Sequence, residues 1–430
     1  RSTLFPYTTL FRSARFTKIR DFITRLPFQL TNSQRQATWE IFQDLAKPTP
    51  MNRLLQGDVG AGKTIVATLA IYSASINRTQ SALLTPTAIL AHQHYQNLKT
   101  YFSHSNLNIA LLTGATKQKS TIKADIKAGK IDLVIGTHAL LTDDTEFQNL
   151  SLVIIDEQHR FGVEQRQKLL LKSPPHLSPH LLTMTATPIP RSLRLTIFGD
   201  LDISVINELP HGRQPIQTKI ISEIEQKTIL YPKIRDVIQQ HQQIYWVCPL
   251  IEDSRLETIS VKTRAEKLQQ LFPQLRIAFL HGRMKPAQKD QVMSDFVQHK
   301  IDILVSTTVI EVGVDVKNAT LIIIENAEQF GLANLHQLRG RVGRGTKKSY
   351  CILLTSSDLP PSRRLREIEK STDGFHLAEV DLKLRGPGEI YGVLQHGAFS
   401  LRVASFSNTK LIKKEPGRSE ERRVGKECRS

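Results

Sequence analysis

At 430 residues, with 40% hydrophobic and 23% charged side chains, the chain has room for two or three ordinary globular domains. Its formal net charge of +18 favours a polyanionic partner such as nucleic acid, or an anionic membrane surface. There is no apolar run of roughly 18 residues and no signal-peptide pattern, and Cys248, Cys351 and Cys428 lie too far apart for a metal knuckle or a disulfide framework, so a reduced cytoplasmic setting without a membrane span is expected.

The two ends read as foreign to the rest. Residues 1–13 (RSTLFPYTTLFRS) and 418–430 (RSEERRVGKECRS) can be back-translated into complementary strands, Arg1 with Ser430, Thr3 with Cys428, Phe5 with Lys426 and Pro6 with Gly425. Matching that runs through all thirteen positions is expected of a short adapter translated along with the gene, and both ends are set aside from fold reasoning. The remainder still carries a charge of about +14.

From residue 27 to 210, short apolar runs alternate with amphipathic stretches of helical period. The runs Arg53-Leu54-Leu55, Ala82-Leu83-Leu84, Leu133-Val134-Ile135 and Leu152-Val153-Ile154-Ile155 are short, continuous and partly β-branched, as strands of a buried parallel sheet should be. The segment Leu209-Pro210-His211-Gly212-Arg213-Gln214-Pro215 reads as a linker. A second series over 211–357 predicts strands near 244–248, 276–280, 301–305, 321–324 and 350–354. Residues 358–417 are more charged and punctuated by Gly and Pro, and form a third element. The predicted fold class is therefore α/β, two parallel-sheet domains in tandem with a small C-terminal element. No fixed-period repeat or low-complexity tract is evident.

Gly57-Asp58-Val59-Gly60-Ala61-Gly62-Lys63-Thr64 fits the phosphate-loop pattern, after a predicted strand and before a predicted helix. Small residues let backbone amides wrap phosphates at a helix start; Lys63 is placed to reach the terminal phosphates and Thr64 to bind Mg²⁺. Asp156-Glu157 ends a buried strand, which suits Asp156 as a metal ligand and Glu157 as the group that orients and deprotonates the attacking water. Gln34, ahead of the loop, carries an amide able to read an adenine edge. In the second domain Arg341 and Arg344 stand three apart, a spacing that predicts both guanidinium groups on one helix face and suits arginine fingers closing across an interdomain cleft.

The phosphate loop, Asp156-Glu157-Gln158-His159, the run Met184-Thr185-Ala186-Thr187-Pro188-Ile189-Pro190-Arg191, residues 305–315 and the Gln337–Arg344 box occur in an order that resembles the superfamily-two helicases. Within them, Gln158-His159-Arg160-Phe161-Gly162-Val163, Leu280-His281-Gly282-Arg283-Met284 and Gly136-Thr137-His138-Ala139-Leu140 resemble the RecG family of branched-DNA translocases. Residues 373–397 resemble the translocation motif that this family shares with the transcription-repair coupling factors, although the pair Val393-Leu394 is more apolar than that pattern. The resemblance spans about residues 20–410. It implies two RecA-like domains, ATP and Mg²⁺ as cofactors, and an ATP-driven DNA helicase that remodels stalled forks and recombination intermediates. The expected partner is branched or forked duplex DNA, with no membrane partner, and the expected form is a monomer in a bacterial cytoplasm.

By the same resemblance, Gln337, Arg341 and Arg344 join Lys63 and Glu157 as catalytic candidates, and Gly313 and Asp315 face the nucleotide across the cleft. Thr185 and Thr187 would link ATP state to DNA; Thr85, Thr87, Thr113, Gly114, Thr307 and Thr308 would touch the phosphate backbone; Arg385 and Gln395 would convert cleft closure into DNA movement. Full-length family members carry an N-terminal wedge domain, of which residues 14–26 would be the connector's last remnant. Three other readings are a transcription-repair coupling factor, an RNA helicase, and a nucleotide-gated binding module without turnover. The first lacks any polymerase-binding module here, residues 158–159 and 374–397 weigh against the second, and intact Lys63, Glu157, Arg341 and Arg344 weigh against the third.

Overall fold

The computed structural model describes residues 14–173, 178–187, 201–210, 214–222, 224–249, 254–311, 314–356 and 360–385. The expected end segments, the prolines after Thr187, Gly313 and Gln395 lie outside the described residues, as does the side chain of Arg385.

Two all-parallel sheets organise the chain. The first has the order β3-β4-β2-β5-β6-β1-β7, built from β1 Asn52–Gly57, β2 Gln80–Leu84, β3 Ile109–Leu112, β4 Leu133–Gly136, β5 Leu150–Asp156, β6 His180–Thr185 and β7 Asp202–Ile206. Its helices are α1 Ala14–Thr24, α2 Asn32–Leu45, α3 Lys63–Ile76, α4 Ala88–Tyr101, α5 Lys119–Lys127 and α6 Val163–Leu170. The second sheet, β10-β11-β9-β12-β13-β8, comprises β8 Gln217–Ser222, β9 Gln243–Val247, β10 Ile277–Leu280, β11 Ile303–Ser306, β12 Ala319–Ile324 and β13 Tyr350–Thr355. Helices α7 Leu230–Gln239, α8 Ser254–Leu271, α9 Pro286–Val297 and α10 Leu332–Arg339 belong to this lobe, followed by α11 Arg363–Lys370 and α12 Gly374–Arg385.

The strand residues explain the double-sided burial. Successive side chains point to opposite faces, so Leu133, Ile135, Leu152 and Ile154 join one apolar cluster while Val134, Val153 and Ile155 join another. In the second lobe Tyr245 and Val247 face one layer, and Ile244 and Trp246 the other. Every predicted strand is present. The structure adds the four-residue, wholly apolar β3, and β6, β7 and β8, whose polar residues (Thr183, Ser204, Lys219) interrupt the apolar signal that marks the others. The segment beyond residue 358 is not detached from the second lobe: Leu365, Ile368 and Leu377 lie in its core.

The two lobes repeat one plan. Strands β1 to β6 correspond in chain order and sheet order to β8, β9, β10, β11, β12 and β13. Gln80, opening β2, donates to Ile126 O and Ile131 O at 2.9 and 2.8 Å, and Gln243, opening β9, donates to Phe296 O and Ile301 O at 2.7 Å each. Asp132 and Asp302 each accept the backbone N–H one residue ahead of β3 and of β10, at 2.8 Å. Even the left-handed residues coincide, Glu157 after β5 at φ +51° and Asn326 two residues after β12 at φ +47°.

Helix α2 is tied to the sheet by ions. Arg53 Nε lies 2.6 Å from Asp44 Oδ2 and its Nη1 donates to Ser204 Oγ at 3.0 Å, while Lys47 Nζ takes the other Asp44 oxygen at 2.7 Å. Burial raises the Asp44 carboxyl, but these hydrogen bonds and charges outweigh it and hold the group below its ordinary value.

Candidate functional site

The loop after β1 turns through Gly60 and Gly62, at φ +76° and +83°, into the start of α3. That backbone favours glycine, and a Cβ on Gly62 would lie 2.4 Å from Gln34 Nε2. Thr31 caps α2, accepting from Gln34 N at 3.2 Å, and Gln34 Oε1 accepts from Thr31 N at 3.0 Å. Gln34 Nε2 donates to Ala61 O at 2.8 Å. Both ends of this amide thus brace the phosphate loop, while Gln34 also lines the cavity beside it, where its second N–H and lone pair face the space expected for the adenine contact.

A cavity of about 320 Å³ opens beside the loop, lined by Val59, Gly60, Gly62, Lys63 and Thr64. Asp156, Glu157, Ala186 and, from the second lobe, Asp315, Arg341 and Arg344 complete its polar wall. A larger cavity of about 600 Å³ lies between α1 and the far ends of α3 and α4, away from these groups.

The electrostatics separate the two neighbouring carboxylates. Burial raises both, but Asp156 receives His94 Nε2 at 2.9 Å and the charge of Lys63, which hold it below its ordinary value. Glu157 gains less: burial and the adjacent Asp156 push it up, against the opposing charges of Lys63 and Arg341 and a 3.5 Å bond from Ala186 N. One carboxylate stays anionic while its neighbour is made more basic. Burial also lowers the Lys63 ammonium, against the pull of Glu157, Asp156 and Asp58; its Nζ rests on Gly57 O and Asp58 O at 2.8 and 3.0 Å. Asp156 and Thr64 offer two oxygen ligands, the kind of number Mg²⁺ takes from protein when phosphates and water complete its shell.

Several expectations need correction. Helix α10 ends at Arg339, so Arg341 and Arg344 do not share a helix face; Gly343 at φ +72° turns the chain, and both arginines reach the cavity from a loop. Gln337 is buried on α10 and does not line the cavity. Thr85 is fully buried, its hydroxyl bonded to Thr87 O at 3.1 Å and Gly136 O at 3.3 Å, and Thr113 is buried beside Thr116 Oγ1 at 3.3 Å. The Thr307 hydroxyl is likewise buried. These three side chains cannot meet a DNA backbone as they stand, whereas Thr87, Gly114 and Thr308 keep exposure. Thr185 and Thr187 pair through their hydroxyls at 2.6 Å, on either side of the residue whose N–H meets Glu157.

Sequence reasoning missed three neighbours of the site. His94 holds Asp156, Gln93 Oε1 accepts the Asp315 N–H across the lobes at 2.7 Å, and His336 Nε2 meets Asp58 Oδ1 at 2.5 Å. Only folding brings them there, and no spacing rule points to them.

Comparison with known proteins places these features. A DEAD/DEAH box helicase model matches residues 31–196, a helicase conserved C-terminal domain model 229–346, and a model of the C-terminal part of RecG domain 3 matches 371–420. The chain is 51% identical over 388 residues to the ATP-dependent DNA helicase RecG of Synechocystis sp., covering 89% of this chain and 46% of that protein. Against the Aquifex aeolicus RecG it is 49% identical over 399 residues, covering 91% and 50%. A solved structure of RecG bound to a three-way DNA junction superposes with a TM-score of 0.77 at 44% identity, covering 93% of this chain and 52% of that one. The Mycobacterium smegmatis helicase Lhr, at 20% identity and a TM-score of 0.57 over 80% of this chain and 48% of its own, shares the fold. The chain spans about half the length of the curated relatives it matches.

Proposed function

Because the chain belongs to the RecG family of ATP-dependent DNA helicases, we propose that it is the two-lobed motor of a double-stranded DNA translocase. The observation that carries this is the meeting, in one cavity, of a phosphate loop and paired carboxylates from one lobe with two arginines from the other. In this reading residues 27–210 form the ATP-binding domain, 211–357 the second RecA-like domain, and 358–417 the translocation region.

The loop amides and Lys63 hold the triphosphate, and Gln34 keeps the loop in shape. Asp156, steadied by His94, and Thr64 would hold Mg²⁺, which when bound neutralises charge on the β- and γ-phosphates. Glu157, raised by burial, takes the proton from the water that attacks the γ-phosphorus as the bond to the leaving ADP oxygen breaks. Arg341 and Arg344 stabilise the developing charge, a contribution of about 10³ to 10⁵ in rate for an arginine finger. Asp315 stands on the far side of the nucleotide, and Gly313 is assigned the same role by the family resemblance. Since the two arginines come from the second lobe, hydrolysis requires the lobes to be together, and opening and closing is the stroke. Thr185 and Thr187 pass the state of Glu157 towards DNA; Thr87, Gly114 and Thr308 touch backbone phosphates; Arg385 and Gln395 transmit the movement.

The substrate we assign is branched or forked duplex, bound by a monomer in the bacterial cytoplasm and contacted through phosphates without sequence reading. Among the described residues no helix is long and apolar enough to cross a membrane. The test is phosphate release in the presence of forked duplex, linear duplex, single-stranded DNA or RNA. Stimulation by duplex, greatest with the fork, is expected, and stimulation by RNA alone would overturn the assignment.

A further inference from the structure

An aspartate inside a phosphate-binding loop is at odds with the loop's task, because its charge repels the anion that the amides attract. Asp58 avoids this by turning away: it is absent from the cavity wall that its neighbours Val59 and Gly60 line. Its Oδ1 takes His336 Nε2 at 2.5 Å and its own loop's Val59 N–H at 2.6 Å, and its Oδ2 takes the Gly374 N–H at 3.3 Å. The side chains of His336 and Asp58 are only 7% and 17% exposed. Arg339 Nη2 donates to His336 Nδ1 at 2.8 Å, and since a guanidinium can only donate, the imidazole proton is fixed on Nε2, facing Asp58. Arg339 Nη1 in turn donates to Ile368 O and Ser371 O, at 2.7 and 2.8 Å, at the end of α11. A second contact is independent of these hydrogen bonds: a Cβ built on Gly340 would stand 2.7 Å from Val59 Cβ, so bare backbone of the second lobe lies against the loop.

We propose that Asp58 is a cross-lobe positioning residue, keyed by His336 and the Gly374 N–H, which seats the second lobe and the α11–α12 pair on the phosphate loop and so brings Arg341 and Arg344 into register with the triphosphate. This rests on reading the cavity as the ATP site. The geometry gives the loop a direct connection to the segment that leads towards Arg385, separate from the arginine fingers themselves.

The full chain with Asp58→Ala, Asp58→Asn, His336→Ala or the Asp58→Ala/His336→Ala pair is assayed for duplex-stimulated ATP turnover and for hydrogen exchange over residues 57–62. Each alanine variant should lower kcat about tenfold with KM for ATP changed by less than about twofold. The pair should be no worse than the poorer single variant, since both remove one link. Asp58→Asn, which keeps an acceptor oxygen for His336 and disturbs folding least, should fall between wild type and alanine. His336→Ala should also speed exchange in the loop, although it lies in the other lobe. Unchanged kcat, additive losses, a rise in KM alone, or loop exchange indifferent to His336 would each overturn the proposal. If the unsubstituted chain shows no nucleic-acid-stimulated turnover, the ATP-site reading fails, and the exchange measurement still decides whether Asp58 and His336 are linked.

Discussion

Replacing Gly340 by alanine would press one methyl group into the phosphate loop from the opposite lobe. The backbone there is ordinary helix terminus, φ −66° and ψ −4°, so alanine meets no strain of its own. It should stabilise its lobe by about 0.4–1 kcal/mol through the unfolded chain. The new Cβ, however, would stand 2.7 Å from both Cβ and Cγ1 of Val59 and 3.0 Å from Cγ2. Carbon atoms rest about 3.5–4.0 Å apart, so the shortfall is about 1 Å, and no rotation of Val59 relieves a clash with its Cβ. The second lobe must back away by that distance, taking the adjacent Arg341 with it. A displacement of about 1 Å at a catalytic group can cost about 10²-fold, or about 2.7 kcal/mol of barrier. The expected variant melts no lower than wild type and binds a fluorescent ATP analogue normally, yet hydrolyses ATP about a hundredfold more slowly. Val59→Gly, which removes all three opposing atoms, should recover most of that loss. A Gly340→Ala chain with nearly full turnover, or a deficit that Val59→Gly leaves untouched, would refute the reasoning.

Glu157→Gln should retain ATP binding and lose turnover by about 10² to 10⁴, the span of a general base; unaltered phosphate release would remove Glu157 from that role. Gly62→Ala places a side chain at φ +83° and drives Gln34 from its two partners. A loss of about 2–4 kcal/mol is expected in urea unfolding, and a loss below about 1 kcal/mol would contradict it. Asp44→Asn should cost about 3 kcal/mol near neutral pH, the low end for a broken buried pair, because Glu40 Oε2 still stands 3.6 Å from Arg53. With its folded pKa depressed, Asp44 contributes fully above its ordinary 3.8, and the contribution is lost as the pH falls through the lower folded value. Melting curves of the two chains should therefore converge only below about pH 4; a gap that stays constant down to pH 2 would show that the ion pair is not the cause.

Much of this architecture is legible before folding because its signals are local. Short continuous apolar runs mark the inner strands, and Gly57–Thr64 announces a phosphate loop because small residues before Lys-Thr, between a strand and a helix, let backbone amides wrap phosphates. Polar strands such as β8 escape notice because they carry Gln217 and Lys219 on a half-covered edge. The arginine-bearing turn was readable and was misread: Gly340 and Gly343 are stop signals of the kind that end helices. Buried Thr85 and Thr113 show the opposite failure, since a hydroxyl at a strand end is as easily satisfied by a nearby protein oxygen as by a phosphate. His94, Gln93 and His336 had no signal at all. The plan shared by the lobes has a trace that period counting overlooks, Ile154-Ile155-Asp156-Glu157-Gln158-His159-Arg160-Phe161-Gly162 against Ile323-Ile324-Glu325-Asn326-Ala327-Glu328-Gln329-Phe330-Gly331.

The likeness of the two lobes stops at the chemistry. Where the front half places Glu157, its sibling holds an amide, Asn326, in the same unusual backbone twist, and no glycine-rich turn follows β8 as one follows β1. The second lobe thus has no counterpart of the loop or of Glu157, yet keeps the glutamine staple that shapes its frame. In the proposed motor one lobe therefore carries the loop and the water-activating carboxylate while its twin brings Arg341 and Arg344 to the same cavity, so the two halves share a frame but play unequal parts, and each closure completes a single chamber rather than two.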